Sequence, residues 1–252
     1  MAEIATQRSY AGEWDDGPID TALTYIGLLM HAGEDAMVTF ARMVHADPTP
    51  LYTYHPVARF GIECFARVHW LTAPSIGVRE RVRRSLNERI ASAYELSRLP
   101  KELDREPGRQ DRLLKATQLG TDFAKQGGKG RAPSLGEKRP TITQLVKEVL
   151  GGERLGQVVY GHLSAVSHGT IWALAEVAQP DKAAPGPVVP AMLINSSSRI
   201  NIVGVSLATA HWRANNRVVQ YLDWGSSDWN RVRDETFVAL RALLAAAVPT
   251  PT

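Results

Sequence analysis

Apolar residues recur along most of this chain at spacings of three and four, the period that lets one face of an α-helix be buried while the other meets water. Leu23, Ile26, Met30, Met37, Phe40 and Met43 mark a first helix. It is expected to open at Asp20, whose carboxylate can accept from the free N–H groups of a first turn, and to end near His45, ahead of Asp47-Pro48. Thr49-Pro50 reads as a cap followed by a first-turn proline and predicts a second helix to about Leu71. An arginine-rich third helix is expected from Ser75 to about Leu99, and a fourth over roughly 101–125. The Gly-, Pro- and Lys/Arg-rich stretch 126–140 reads as a mobile basic loop. Thr141 with Gln144 then forms a capping-box pattern and opens a short helix to Leu150. Gly151-Gly152 separates it from a long helix over about 153–178. A Pro-rich crossover at 179–196, with a short extended piece over 188–194, leads to two last helices over roughly 197–223 and 227–247.

Residues 1–19 lack this period and read as an irregular arm ended by Gly17-Pro18. No repeat of fixed length appears, and neither flank of the basic loop carries its own domain signature. The expected fold is therefore all-α: a single helical domain over 20–252, a bundle of about seven or eight helices.

Composition narrows the class. Apolar residues make up 44% and charged residues 22%, ordinary for a globular chain with a substantial core. The one cysteine, Cys64, excludes an internal disulfide framework and any multi-cysteine zinc site. There is no run of about 18 apolar residues, so no membrane association is expected. The acidic residues of the first seventeen leave no apolar signal segment, which makes the cytoplasm the natural location. The net charge of +3 is unevenly spread: residues 79–139 carry sixteen Lys/Arg against nine Asp/Glu. Such a segment is either a solvated helix face with a flexible loop or a surface for an anionic partner such as nucleic acid.

Several motifs fail on spacing. Gly127-Gly128-Lys129-Gly130 lacks both the Ser/Thr after the lysine and the earlier glycine of a phosphate loop. The Asp15-Asp16 pair is followed by Gly17-Pro18, which interrupts the helix on which metal-binding carboxylates would converge, so capping and solubility explain it better. The paired Glu-x-x-His of di-iron bundles, His-Glu-x-x-His and G-x-S-x-G are all missing. No cofactor or metal is implied.

Two constellations remain. On the second helix His55, Arg59 and Glu63 recur at spacing four and share a face, beside a stripe of Phe60, Cys64, Val68 and Leu71 that reads as core. On the long helix Tyr160, Ser164, His168 and Trp172 recur at the same spacing. Gly161, Ala165, Gly169 and Ala173 run beside them, a stripe that would let another backbone approach and make this helix central. Polar groups on a central helix need partners, and Arg59 and Glu63 are the expected ones. A carboxylate on one imidazole nitrogen would orient His168 and leave the other nitrogen for proton transfer. The plainer alternative is a satisfied polar network that fixes helix register.

The run Tyr160-Gly161-His162-Leu163-Ser164-Ala165-Val166-Ser167-His168-Gly169 resembles the Tyr-x-x-x-Ser-x-x-x-His-Gly helix of uncharacterised actinobacterial helical proteins. Arg59, Glu63, Trp70-Leu71 and the Arg79–Arg84 stretch resemble them too. These proteins look distantly related to the HEPN superfamily, helical bundles that often form homodimers and include metal-independent ribonucleases. The resemblance covers about 20–178 and leaves the last two helices as additions. It implies RNA as partner, with His168 as acid/base, Arg59 on the phosphate charge, Glu63 orienting His168, and Tyr160 and Ser164 positioning the backbone. Arg79, Arg81, Arg83, Arg84, Lys129 and Arg131 would then contact phosphates. The chain departs from the family pattern of Arg, four to six residues, His: seven residues separate Arg154 from His162, and no arginine stands at that distance before His168. Two rival readings stay open. One is a small-molecule pocket lined by Trp70, Trp172, Trp212 and Tyr221. The other is a non-catalytic interaction module.

Overall fold

The computed structural model describes residues 17–96, 125–126, 134–136, 139–177, 197–223, 231 and 235. It is mostly helical. The described helices are α1 (Gly17–Val44), α2 (Tyr54–Leu71), α3 (Val78–Leu96), α4 (Ile142–Val149), α5 (Glu153–Ser167), α6 (Ile171–Val177) and α7 (Ser197–Leu222). One two-stranded ladder, β1 (Lys125–Gln126) with β2 (Ser134–Leu135), is antiparallel and pairs Lys125 with Leu135 and Gln126 with Ser134. The expected irregular arm up to residue 16, the fourth helix over 101–124, most of the loop 126–140 including Lys129 and Arg131, the crossover 179–196 and nearly all of the last helix lie outside the described residues.

Three boundaries differ from the sequence pattern. Helix α1 already begins at Gly17, so Asp20 stands in its first turn and favours the positive end of the helix dipole instead of capping it. Thr49 does not open α2. Its hydroxyl donates to the carbonyls of Val44 (3.3 Å) and Ala46 (3.0 Å), closing the end of α1, and α2 starts at Tyr54. The expected long helix is two. Gly169 adopts φ +67°, its N–H donates to Val166 at 3.0 Å and that of Thr170 to Ala165 at 2.9 Å. This left-handed glycine terminates α5, leaving His168 as its C-cap.

The chain packs as two compact units. The first comprises 1–28 and 71–141. Among its described residues, Val82, Leu86 and Ile90, four apart on α3, pack with Ile19 and Leu135. Leu135 is held on both sides of its peptide. Asn87 Oδ1 accepts from its N–H at 2.7 Å, and its carbonyl accepts from Asn87 Nδ2 (3.1 Å) and Arg83 Nη1 (2.6 Å). The stretch 134–136 is thus anchored, where the sequence suggests a mobile loop. Gly136, at φ +66°, leaves room for that arginine: a Cβ there would lie 2.9 Å from Arg83 Nη1.

The second unit comprises 29–70 and 142–252. Its described interior includes Ile62, Phe65 and Val68 of α2, Val146 and Val149 of α4, Leu163 of α5 and Leu207 of α7. Glycines bring its helices close. A Cβ on Gly33 would lie 2.5 Å from the Phe65 ring, and one on Gly156 would lie 2.6 Å from the Lys147 Cα, which sets the α4–α5 contact. By contrast Gly161 is exposed and a Cβ there would meet nothing within 4 Å. Gly161 is therefore not a point of close helix approach, whereas Ala165 packs on the cluster of Val166, Ala173 and Val177.

Candidate functional site

Helix α2 carries Arg59 and Glu63 one turn apart, and the two pair through Arg59 Nε and Glu63 Oε1 at 2.8 Å. Tyr160 of α5 completes a closed triangle. Its hydroxyl accepts from Arg59 Nη2 at 3.3 Å and donates to Glu63 Oε1 at 2.9 Å. The guanidinium carbon also lies 5.3 Å from the centre of the Tyr160 ring, a cation–π distance. Burial, followed by the Glu63 carboxylate, holds the Tyr160 phenol above its ordinary range although Arg59 pulls it down, so the hydroxyl stays a donor. Burial opposes the Arg59 charge, but Tyr160 and Glu63 outweigh it and hold the guanidinium above its ordinary value.

His168 reaches the same guanidinium from the end of α5: Arg59 Nη1 lies 3.2 Å from its Nε2. A guanidinium can only donate, so Nε2 must be the accepting nitrogen and the imidazole proton sits on Nδ1. Three of the five Arg59 N–H donors are committed to Glu63, Tyr160 and His168, and the other two have no partner among the described residues. Arg59 and Glu63 are 21% and 17% exposed while His168 is exposed, so the cluster is rooted inside and opens outward. Arg67, one turn past Glu63, donates to the Glu63 carbonyl at 3.3 Å and faces its second carboxylate oxygen at 3.7 Å. Its spacing of four from Glu63 is the signal that could have found it.

The structure thus brings Arg59, Glu63, Tyr160 and His168 together, with one change of role. Glu63 bonds Arg59 and Tyr160, and it is Arg59 that contacts the His168 ring. Ser164 sits one turn before His168, half-buried, and its carbonyl accepts the His168 N–H at 3.0 Å. The Ser164 hydroxyl makes no hydrogen bond among the described residues. Trp172 is not on this face, because the turn at Gly169 moves it to α6, where it is 57% exposed. Phe60, expected in the core, is 53% exposed, whereas Cys64, Val68 and Leu71 of its stripe are buried.

His55 also leaves the Arg59–Glu63 face. It is buried, with Nδ1 3.2 Å from the Tyr52 carbonyl and its ring stacked on Tyr54 at 4.1 Å and tilted against His162 at 5.5 Å. Burial first, with Arg199 and His162 adding to it, lowers its pKa to about 4 despite the Tyr52 bond. Burial also raises the Tyr54 phenol to about 12. His69 is likewise brought to about 4 by burial and by Arg217 and Arg213, and Arg217 Nε lies 3.3 Å from its Nε2.

The arginines expected to bind phosphate divide. Arg81 is buried and donates to the carbonyls of Leu71 and Ile76. Arg83 is buried on Leu135 and Glu80, and Arg84 Nε pairs with Glu80 at 2.9 Å. Their hydrogen bonds to carbonyls and to Glu80 correct the expectation that Arg81 and Arg83 present charge to nucleic acid. Arg79 is exposed. Trp70 and Tyr221 are buried and Trp212 is half-buried, whereas Trp172 is on the surface. Among the described residues no three His, Cys, Asp or Glu side chains are grouped to hold a metal ion, and no helix is long and apolar enough to cross a membrane.

No family model matches the chain, and no curated protein or solved structure matches it either.

Proposed function

We propose that the Arg59–His168 pair engages a phosphate of RNA and that His168 acts as the base in metal-independent cleavage of the bound strand. The observation that carries this reading is a guanidinium pre-set by Glu63 and Tyr160 that directs one N–H at an exposed imidazole and has two more without a partner among the described residues. Donors held in place before a charge arrives stabilise it without reorganisation. An incoming phosphate oxygen replaces His168 Nε2 as acceptor for Arg59. The released Nε2 then takes the proton of the neighbouring 2′-hydroxyl. The 2′-oxygen bonds to phosphorus, the P–O5′ bond breaks, and the leaving 5′-oxygen takes a proton from water. Glu63 and Tyr160 hold Arg59 throughout. The same reading takes the helical core as HEPN-like, on the Tyr160–Ser164–His168-Gly169 pattern.

The test is labelled single-stranded RNA with EDTA present, scored for binding and cleavage together. His168→Ala should lose about 10²- to 10⁴-fold in cleavage while still binding, and Arg59→Ala should lose both. Wild-type protein that neither binds nor cleaves would overturn the reading. Binding without cleavage would remove the catalytic half and leave a phosphate-binding site.

A further inference from the structure

Two polar atoms at the start of α2 are sealed from water with nothing to bond. Tyr54 and His55 are both 0% exposed, and neither the Tyr54 hydroxyl nor His55 Nε2 has a hydrogen-bond partner. An unmade hydrogen bond in the interior is costly, so such atoms point to a ligand or an ordered water. The state of His55 says what must arrive. The Tyr52 carbonyl, 3.2 Å from Nδ1, can only accept, so Nδ1 holds the ring proton. Burial keeps the ring neutral, and Nε2 is then a bare lone pair that needs a donor. The Tyr54 phenol, also kept neutral by burial, offers its O–H in return.

Direct contacts join these two residues to the surface. The Tyr54 ring stacks on His55 at 4.1 Å, and His55 lies against His162 of α5 at 5.5 Å, centre to centre. His162 Nδ1 is 3.9 Å from a Glu176 carboxylate oxygen, and Arg199, in the first turn of α7, donates to the Glu176 carbonyl. The His162 and Glu176 side chains are 22% and 50% exposed, so the cluster reaches water at this end. Burial comes first in the pKa of Tyr54, His55 and His162, and behind it the Arg199 charge lowers each. Arg199 is thus within electrostatic reach of all three, and the rest of its guanidinium has no partner among the described residues.

We propose that Tyr54, His55 and Arg199 form a binding site for inorganic phosphate, separate from the Arg59–His168 cluster and independent of the RNA reading. Phosphate oxygens accept from Arg199 and from the Tyr54 hydroxyl, and the O–H that hydrogen phosphate retains donates to His55 Nε2. These demands select against simpler ligands. Sulfate and carboxylates bring charge but no proton for Nε2, whereas an alcohol or a water brings the proton but no charge for Arg199. A phosphate monoester loses its last proton at about pH 6 and so fails at higher pH.

The experiment is isothermal titration at about pH 8 with inorganic phosphate, sulfate and glycerol phosphate. The proteins are wild type, Tyr54→Phe, Arg199→Gln and Arg59→Ala, each checked for folding by thermal unfolding without ligand. Tyr54→Phe removes only the hydroxyl and keeps the ring stacked on His55, and Arg199→Gln gives a second, partly exposed position should the buried one misfold. Wild type should bind phosphate at least about tenfold more tightly than sulfate or glycerol phosphate. Tyr54→Phe and Arg199→Gln should each weaken phosphate by about 10- to 100-fold, and Arg59→Ala should leave it unchanged. Equal affinity for phosphate and sulfate would mean that no ligand proton is used and would overturn the proposal. Loss in Arg59→Ala alone would move the phosphate to the other cluster, overturning this site while supporting that one. No saturable binding by wild type would leave the two buried atoms to water and overturn it as well.

Discussion

Asn87 shows how a single side chain can decide a local structure. It bonds both the N–H and the carbonyl of Leu135 from a position that is itself 3% exposed, on the helix whose arginines dominate the sequence pattern. Asn87→Ala leaves the Leu135 N–H without its partner in a buried place. It should cost about 2 kcal/mol, read as a lowered midpoint in urea unfolding. A change below about 0.5 kcal/mol would mean that water replaces the amide. The charge count alone points outward for Arg81 and Arg83, because formal charge is countable in a sequence while the carbonyls that bind it are not. The same blindness applies to His55: its spacing from Arg59 and Glu63 is right for one face, but the Tyr52 carbonyl and the Tyr54 ring draw it inside.

At the scale of the element, helix α5 carries both the geometry of the site and its main surprise. Its length is set by Gly169, not by the apolar period, which continues through Ala173 and Val177 into α6. A glycine inside an apolar pattern has two meanings, small residue or left-handed stop, and the residue type does not choose between them. Two other glycines of α5 separate these energetics. Gly156→Ala would press a methyl group against the Lys147 backbone at 2.6 Å and should destabilise by about 1–3 kcal/mol. Gly161→Ala meets nothing within 4 Å and should stabilise by about 0.5–1 kcal/mol through helix propensity. Chemical unfolding of the two variants should therefore shift in opposite directions; a shared direction would contradict the packing described. Elsewhere the period served well. The end of α1 near residue 45, the span of α4 after Thr141 and the extent of α7 are all legible from spacing and capping residues.

For the whole molecule, the buried histidines tie stability to pH. His55 and His69 are buried neutral with pKa values near 4, against 6.5 when unfolded. Above pH 6.5 neither opposes folding. As pH falls from 6.5 towards 4 the unfolded chain takes up protons that the folded one refuses, so stability declines across that window. The loss should reach up to about 3 kcal/mol for each histidine. Urea midpoints should be level from pH 7.5 to 6.5 and fall from there to pH 4, and the His69→Gln variant should fall less steeply. A flat profile from pH 7 to 4.5 would mean that these rings are not sealed in solution.

The all-α class and most helix positions follow from the sequence by itself, because burial of one face and the capping of helix ends are both written in neighbouring residues. So does the identity of four residues of the candidate site: Arg59, Glu63, Tyr160 and His168 stand out as polar groups at helical spacing. Only the tertiary structure decides who bonds whom. It puts Arg59 between Glu63, Tyr160 and His168, and turns Phe60 and Trp172 to solvent. It also draws His55, Arg81 and Arg83 inward. Some of the partners, Tyr160 and His168 for Arg59 and Leu135 for Arg83, come from distant parts of the chain. Others, Tyr52 and Tyr54 for His55 and Leu71 and Ile76 for Arg81, are near in sequence but act through carbonyls and ring faces whose direction only the folded backbone sets.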